Sequence, residues 1–298
     1  MMKNNIKETT LILGNGFLGK EFIRQGYKHF TTSEQLRFKT PKESLESENN
    51  PDDVPSPIQF LSKLENIIDY LEINDSVKID TIINCIGKAD TRYCEDKNNF
   101  NDDVLHINGF LPELISRFCR NHNIKFVQIS TGCLYTSANQ LVNETSFIEA
   151  HCNYTLSKWI GEMGCDYNRD LIIRPRLYFS DIRNKLNLLC KFENFKYILN
   201  EFNSITSTRT IVEAVTALLQ CNQVGVFNVA NDGIYTIKEI SEAIGYKWLP
   251  SQVITGYELR KQQGLYLVNN TMDISKLKQF YIPRDAIEEF KWCADNLH

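Results

Sequence analysis

The stretch TLILGNGFLG, residues 10–19, decides the fold. A short apolar run typical of a buried strand leads into glycines spaced GxGxxG, and helical periodicity begins with the residues that follow. The first glycine permits a tight turn, the second lets a ligand approach the backbone, and the third allows the helix to pack closely on the strand. Free N–H groups at the start of such a helix attract phosphate. We therefore expect a dinucleotide cofactor to contact Gly14, Asn15, Gly16, Phe17, Leu18 and Gly19.

Short apolar runs alternate with helical segments along the chain. The runs are TTLIL, YKHFTT, IDTIINC, KFVQIS, DLIIRP and VFNVA, and the helical segments are Phe17–Gln25, Pro57–Tyr70, Gly109–Asn121 and Tyr154–Tyr167. This alternation predicts an α/β fold, a Rossmann-type doubly wound parallel sheet with a smaller C-terminal substrate-binding lobe. We assign residues 1–180 to the nucleotide-binding domain and 181–298 mainly to the lobe, with strands such as 225–230 interleaving into the sheet. The polar stretch 39–57 indicates an exposed loop.

Composition excludes several classes of function. The 298 residues are 42% hydrophobic, which is enough for a large core, and a net charge of −4 argues against nucleic acid or an anionic membrane as the partner. Nine cysteines at irregular spacing, without a CxxC pair or a histidine pair to complete a zinc site, indicate a reducing compartment and no metal. The first residues lack an apolar run long enough for a signal peptide or a membrane span, so we expect a soluble, cytoplasmic protein.

The end of the second apolar run indicates which dinucleotide binds. An acidic residue there would accept hydrogen bonds from the ribose hydroxyls of NAD. This chain instead has Thr32 and Ser33, followed by Arg37, and hydroxyl and guanidinium groups suit a 2′-phosphate. We therefore expect NADP(H), with NADH less favoured because Glu34 offers a carboxylate in the same region.

Tyr154 and Lys158 are four residues apart in the helical segment YTLSKWIGE, so their side chains share one face. The ammonium group favours the phenolate, which lowers the pKa of a tyrosine from about 10 toward neutrality and lets it exchange a proton with a substrate oxygen. Upstream, Ser130 and Thr131 end an apolar run, where a hydroxyl can hydrogen-bond to the same oxygen. The spacing therefore predicts proton-transfer chemistry beside a dinucleotide.

The glycine turn, the strand-terminal hydroxyl and the Tyr-x-x-x-Lys pair, in this order, resemble the short-chain dehydrogenases/reductases. Within them, the chain is similar to extended members that act on nucleotide sugars, such as dTDP-4-keto-rhamnose reductase and GDP-fucose synthase. NCIGKAD resembles their segment over the cofactor, and GVFNVANDGIYTIKEI resembles a strand and helix of their substrate lobe. The resemblance adds five residues to the expected cofactor contacts: Cys85, Gly87, Asn108, Tyr154 and Lys158.

The likeness is strongest to the bifunctional UDP-4-keto-6-deoxyglucose 3,5-epimerase/4-reductases, which make UDP-L-rhamnose. It is carried by Thr131-Gly132-Cys133, by the two arginines of IIRPR, by Arg183-Asn184 and by NNTMDISKLKQ. The chain departs from these enzymes in two places. Their glycine turn is one residue longer, GxxGxxG, and the lysine proposed as their epimerisation acid aligns with Leu188.

The resemblance implies a role for each candidate residue. In reduction, NADPH delivers hydride to the C4 ketone, Tyr154 donates the proton, Thr131 holds the carbonyl oxygen and Lys158 anchors the ribose. In epimerisation, Cys133 is the base, because a nearby cation can turn its thiol into a thiolate. We nominate Lys185 as the acid, on the expectation that it shares a helical face with position 188. The expected contacts to the diphosphate and sugar of a UDP-linked substrate are Arg176, Arg183, Arg209, Asn269 and Asn270.

Several alternatives remain open at this stage. One is a 4-ketoreductase without epimerase activity, in which Cys133 is a bystander. Another is a relative that acts on an N-acetylated 4-keto-hexulose, since its motifs would be the same. A third, from a different class, is a noncatalytic NADP-binding regulatory subunit, although such a protein would be free to lose its proton donor. A homodimer is also left open.

Overall fold

A computed structural model of the chain describes residues 6–32, 35–36, 57–135, 141–263 and 269–298. Its centre is a six-stranded parallel sheet, which confirms the predicted Rossmann-type α/β fold. The strands lie in the order Gly225–Val229, Leu171–Pro175, Lys125–Ile129, Thr81–Asn84, Thr10–Leu13 and His29–Thr31. Each of the six apolar runs of the sequence supplies one of these strands. Their buried positions explain the continuous apolar pattern, because a parallel sheet is covered on both faces.

The order of the strands reverses between Thr10–Leu13 and Thr81–Asn84, which pair in parallel. The first of these also pairs with His29–Thr31, its sequence neighbour. In open α/β sheets, ligands bind outside the carboxyl ends of the strands at this kind of switch point. Gly14 and Cys85 follow the two strands, and the backbone N–H of Cys85 donates to the carbonyl of Leu13 at 3.0 Å. The topology therefore positions the glycine turn where a ligand is expected.

By compactness the chain divides into two units, residues 1–130 with 156–172 and residues 131–155 with 173–298. The predicted boundary at residue 180, between the nucleotide-binding domain and the substrate-binding lobe, stays a prediction. The first unit has a core of residues from its strands and from the helices on them: Leu11, Leu13, Leu36, Phe60, Leu64, Ile79, Ile82, Leu111, Ile115, Phe118, Cys119, Ile124 and Phe126. Its helices are Ile6–Thr9, Phe17–Arg24, Pro57–Asp75, Thr91–Glu95, Lys97–Asn99, the π-helix Phe100–Phe110 and Leu111–Asn121.

The second unit contains short strand pairs and helices. Its strands outside the main sheet are Leu141–Val142, Tyr178–Phe179, Ile198–Leu199, Phe202–Asn203, Thr206–Ser207, Tyr235–Thr236, Val253–Ile254 and Thr271–Met272. Its helices are Leu188–Phe192, Thr208–Gln220, Ile237–Glu242, Gly256–Gln263, Ser275–Lys278 and Ala286–Asp295. A separate core holds them together: Phe179, Leu188, Leu189, Phe192, Ile198, Ile205, Ile237, Ile240, Ala286, Phe290 and Cys293.

The helix Asn153–Met163 contains both Tyr154 and Lys158, as the spacing predicts. The expected loop at 39–57 falls almost wholly outside the described residues. None of the described helices combines the length and the apolar character that crossing a bilayer requires.

Candidate active site

The glycine turn has the backbone that its sequence predicts. Gly14 has a φ of +89°, a conformation that residues with a Cβ rarely adopt. Its N–H donates to the hydroxyl of Thr31 at 3.2 Å, which ties the turn to the neighbouring strand. A Cβ at Gly19 would overlap the carbonyl oxygen of Gly14, so only glycine lets the helix Phe17–Arg24 pack this closely on the turn.

The start of this helix is open. Gly16 is its N-cap, and among the described residues no side-chain hydrogen bond caps the first turn. A Cβ built on Gly16 would meet no atom of the described residues within 4 Å. Asn15 and Phe17 are half-buried beside it, and Leu18 is buried. Free backbone donors next to open space are the features with which a helix N-terminus binds phosphate.

The end of the second strand is described only in part. The backbone N–H of Thr32 donates to the side-chain oxygen of Gln35 at 2.8 Å, and the Thr32 hydroxyl accepts from the N–H of Gln35 at 3.3 Å. Ser33, Glu34 and Arg37, on which the expected choice between NADP and NAD depends, lie outside the described residues.

Asn108, in the π-helix Phe100–Phe110, forms hydrogen bonds to the backbone of the segment that follows the third strand. Its Oδ1 accepts from the N–H of Lys88 at 2.8 Å, and its Nδ2 donates to the carbonyl of the same residue at 3.0 Å and to the Ser157 hydroxyl at 3.1 Å. A Cβ on Gly87 would lie 3.3 Å from Asn108 Oδ1 and 3.8 Å from Lys158 Nζ. The structure therefore brings three of the predicted residues, Gly87, Asn108 and Lys158, to one place. Cys85 lies just before them, and burial raises the pKa of its thiol.

Lys158 is buried, and its Nζ donates to the carbonyl of Ile129 at 2.7 Å. Burial lowers the pKa of Lys158 from its usual 10.5 to about 8, although the Glu162 carboxylate opposes this shift. Glu162 lies one turn further along the same helix and is itself buried. It accepts hydrogen bonds from the hydroxyls of Ser130 at 2.6 Å and Tyr167 at 3.1 Å. This lysine can therefore exchange its proton close to neutral pH.

Tyr154 is half-buried in the first turn of the helix, one turn before Lys158. Thr131 is buried after the fourth strand, and its hydroxyl accepts the N–H of Cys133 at 3.2 Å. This bond caps the 3₁₀ turn Gly132–Leu134, which presents the cysteine half-exposed.

In the second unit, a series of hydrogen bonds leads away from the Cys133 sulfur through Arg176. Nη1 of Arg176 lies 2.7 Å from Sγ, and Nε of the same guanidinium donates to Oδ1 of Asn203 at 2.9 Å. Asn203 Nδ2 donates to Oδ1 of Asn269 at 2.6 Å, and Asn270 Nδ2 donates to the Gly132 carbonyl at 3.3 Å. Asn203 was not among the candidates from sequence, because a single asparagine in a two-residue strand belongs to no recognisable motif.

Two candidate arginines form ion pairs with carboxylates of the chain. Arg183 is exposed and pairs with the exposed Glu193 at 3.1 Å. Arg209 forms a two-pronged ion pair with the buried Glu289, with Nε to Oε1 at 2.9 Å and Nη2 to Oε2 at 2.5 Å. Its guanidinium also stacks over Trp292, at 4.1 Å. These partners lie within the chain, so binding of a diphosphate by either arginine stays a prediction.

Lys185 and Leu188 do not share a helix, although that expectation was the reason for nominating Lys185. The helix begins at Leu188, and Asn187 caps it by accepting the N–H of Leu189 at 3.0 Å. Lys185 lies in the preceding turn with an exposed side chain, while Leu188 is buried in the core. The premise of a shared helical face was wrong, because an asparagine before an apolar run is a helix start. The catalytic role of Lys185 stays a prediction without that support.

Comparison with known proteins gives these features a context. A family model described as the RmlD substrate binding domain matches residues 10–255. A trifunctional UDP-glucose 4,6-dehydratase/UDP-4-keto-6-deoxy-D-glucose 3,5-epimerase/UDP-4-keto-L-rhamnose-reductase, RHM1 of Arabidopsis thaliana, is 24% identical over 76% of this chain, which spans only 36% of that protein. A bifunctional dTDP-4-dehydrorhamnose 3,5-epimerase/reductase of the same plant is 23% identical, over 72% of this chain and 76% of the relative.

Solved structures agree in fold. The L780 UDP-rhamnose synthase of Acanthamoeba polyphaga mimivirus superposes with a TM-score of 0.74 at 16% identity, covering 96% of this chain and 99% of that one. A dTDP-4-dehydrorhamnose reductase from Bacillus anthracis, in complex with NADP, gives a TM-score of 0.74 at 15% identity, covering 97% and 99%. At these identities the likeness establishes the fold.

Proposed function

This chain belongs to the RmlD substrate-binding-domain family, and on that premise we propose that it reduces the C4 ketone of a nucleotide-linked keto-deoxysugar with NADPH. We further propose that it epimerises the sugar at C3 and C5 before reduction, so that UDP-4-keto-6-deoxy-D-glucose becomes UDP-L-rhamnose. Relatives named for both activities support the bifunctional form. The nucleotide-sugar class follows from the same names, and UDP follows from the sequence resemblance.

The first unit fits the proposed cofactor. The uncapped helix start at Gly16 and the space above that glycine suit the pyrophosphate of a dinucleotide. Gly87 leaves its side-chain space beside Asn108 and Lys158, which suits close approach of a ribose and nicotinamide. When bound, the reduced nicotinamide supplies the hydride for the ketone carbon.

The observation that carries the proposal is the setting of Lys158. Its ammonium is fixed by a backbone carbonyl, its pKa is lowered to about 8, and Tyr154 precedes it by one helical turn. In the proposed mechanism Tyr154 gives its phenolic proton to the C4 oxygen as the ketone carbon is reduced. Thr131 donates a hydrogen bond to the same oxygen, and the positive charge on Lys158 favours the phenolate that remains.

Epimerisation requires a base at carbons next to the ketone. In the proposed scheme the Cys133 thiolate takes the proton from C3 or C5, and the electron pair of that C–H bond enters an enolate whose oxygen Tyr154 and Thr131 hold. Return of a proton to the opposite face inverts the carbon. Lys185 was nominated as the acid because it lies three residues before the position that aligns with the family's lysine, and solvent water is the alternative donor.

Steady-state kinetics test the reductase. Tyr154→Phe removes only the phenolic hydroxyl, and we expect the rate of NADPH oxidation with UDP-4-keto-6-deoxyglucose to fall by about 10²- to 10⁴-fold. Tyr257→Phe is the matched control, because that tyrosine is exposed on the helix Gly256–Gln263. Unimpaired turnover of the Tyr154 variant would refute the assignment, and absence of NADPH oxidation by the unmodified protein would favour a noncatalytic binding subunit.

Product analysis in deuterated water tests the epimerase. We expect mass spectrometry to find deuterium at C3 and C5 of the product, and Cys133→Ala to abolish it. Cys221→Ala, at an exposed position, serves as the control. Reduction without deuterium at either carbon would identify a ketoreductase alone, and an acetamido sugar that reacts faster would identify the N-acetylated substrate class.

A further inference from the structure

The contact between Arg176 and Cys133 has an electrostatic consequence. Only 2% of Arg176 is exposed, so its charge is largely removed from water, and Nη1 lies 2.7 Å from the sulfur. A guanidinium does not lose its proton in a protein, and it only donates hydrogen bonds. A permanent positive charge at this distance favours the anionic form of its neighbour. The structure therefore places a permanent positive charge directly against the Cys133 sulfur.

A chain of hydrogen bonds fixes the guanidinium in this position. Arg176 Nε donates to Asn203 Oδ1, so the amide of Asn203 must direct its Nδ2 the other way, to Oδ1 of Asn269. The Nδ2 of Asn269 donates in turn to the carboxylate of Glu201. A guanidinium only donates and a carboxylate only accepts, so the two ends determine the orientation of both amides between them.

A second observation points to a ligand at the same place. Oδ1 of Asn270 is buried and has no hydrogen-bond partner among the described residues, although Nδ2 of the same amide donates to the carbonyl of Gly132, next to Cys133. A buried acceptor without a partner is energetically unfavourable, because it has lost its hydrogen bonds to water. A sugar hydroxyl has the donor that this oxygen lacks.

We propose that Arg176 is a positioning residue that keeps Cys133 as a thiolate, and that the side chains of Asn203, Asn269 and Glu201 keep Arg176 in place. This inference rests on the epimerase half of the proposed function, in which Cys133 is the base. In this proposal Arg176 acts on the Cys133 thiol, whereas the sequence resemblance implied that it binds the substrate diphosphate.

Site-specific alkylation tests the inference without any substrate. Iodoacetamide reacts with the thiolate, forming a carbon–sulfur bond as iodide leaves, and mass spectrometry of the peptide that contains Cys133 gives the rate for this cysteine alone. At about pH 7 we expect Arg176→Met to slow this rate by at least about ten-fold, in proportion to the lost thiolate. Arg174→Met is the matched control, since its guanidinium is bonded to Tyr135 and the Glu144 carbonyl. An unchanged rate in Arg176→Met would overturn the proposal.

Asn203→Asp is a second variant that keeps the size of the side chain. It puts a carboxylate at the acceptor position, where Nε of Arg176 lies 2.9 Å away, and this carboxylate competes with the thiolate for the positive charge. We expect a several-fold slower alkylation of Cys133, and Arg176→Lys to keep more of the rate than Arg176→Met because it keeps the charge. A rate that is the same in Asn203→Asp and in the unmodified protein would count against the inference even if Arg176→Met does not fold.

Measurements of catalysis distinguish a failure of this inference from a failure of the proposed epimerase function. We expect Arg176→Met to lose deuterium incorporation at C3 and C5 more strongly than it loses reduction of an already epimerised 4-keto sugar. If Cys133→Ala still incorporates deuterium, the proposed base is wrong while the alkylation result stands. If alkylation of Cys133 is insensitive to Arg176, the inference is wrong while the epimerase stands.

Discussion

Replacing Lys158 by Met tests how strongly burial acts on this ammonium group. The fall of the Lys158 pKa from 10.5 to about 8 means that the folded chain binds this proton less tightly than the unfolded chain. One pKa unit corresponds to about 1.4 kcal/mol, so burying the charged form costs roughly 3 kcal/mol. Below about pH 8 the lysine is protonated in both states and the full cost is present. As the pH rises toward 10.5 the folded state loses the proton first, and the cost disappears.

The sign of the pH dependence follows from this difference. The unfolded chain binds more protons between these two pKa values, so the free energy of unfolding of the unmodified protein rises with pH in that interval. Between about pH 7 and about pH 9.5 we expect this lysine to contribute a gain of roughly 2 kcal/mol. Lys158→Met carries no charge at either pH and lacks the gain. The stability difference between the two proteins should therefore shift by that amount in favour of the unmodified one.

Urea unfolding followed by tryptophan fluorescence at the two pH values measures this shift, and Trp159 adjoins the substituted position. Lys20→Met is the control, because Lys20 is exposed on the helix Phe17–Arg24 and the substitution removes an ammonium group that is not buried. Equal differences for Lys158→Met at the two pH values would refute the argument, since they would mean that burial does not penalise the ammonium.

Three further substitutions test the cofactor turn and the ion pair of the second unit. We expect Gly16→Ala to fold normally, because the extended backbone accepts a Cβ and no atom lies within 4 Å of it, but to weaken NADPH binding about ten-fold by calorimetry. Gly19→Ala should instead lower the melting temperature, since its Cβ overlaps the Gly14 carbonyl; the reverse pattern would contradict the turn geometry. We expect Arg209→Met to cost about 3 kcal/mol of stability in urea unfolding, because it leaves the buried Glu289 without its main partner. A loss below about 1 kcal/mol would mean that this pair behaves as a surface ion pair.

The main sheet could be predicted from sequence because its signals are local. Runs such as IDTIINC are apolar throughout, since a parallel strand is covered on both faces, and each run became a strand within one or two residues. The glycine turn could also be predicted from sequence, because Gly14 requires a positive φ and Gly19 has no room for a Cβ, so both positions need glycine. The pair of Tyr154 and Lys158 followed from helical spacing alone.

The surroundings of Cys133 could not be predicted in this way. Arg176 is 27 residues from Asn203, which in turn is 66 residues from Asn269, and no periodic pattern connects positions so far apart. The same limit applies to Arg209, whose partner Glu289 lies 80 residues away. The sequence shows that an arginine is charged, but it does not show which group the arginine contacts. The expectation that Arg176, Arg183 and Arg209 bind one diphosphate was therefore based on charge alone.

Lys158 and Arg176 are both buried cations, and the chemistry of each suits the step to which it is assigned. A lysine can lose its proton, and burial brings the pKa of Lys158 to about 8, within reach of a reaction in which a proton moves between groups near neutral pH. A guanidinium stays charged under all such conditions, which suits the role proposed for Arg176 beside the Cys133 sulfur. In the proposed function, Lys158 therefore serves the reduction and Arg176 the epimerisation, each with a cation whose proton chemistry suits its step.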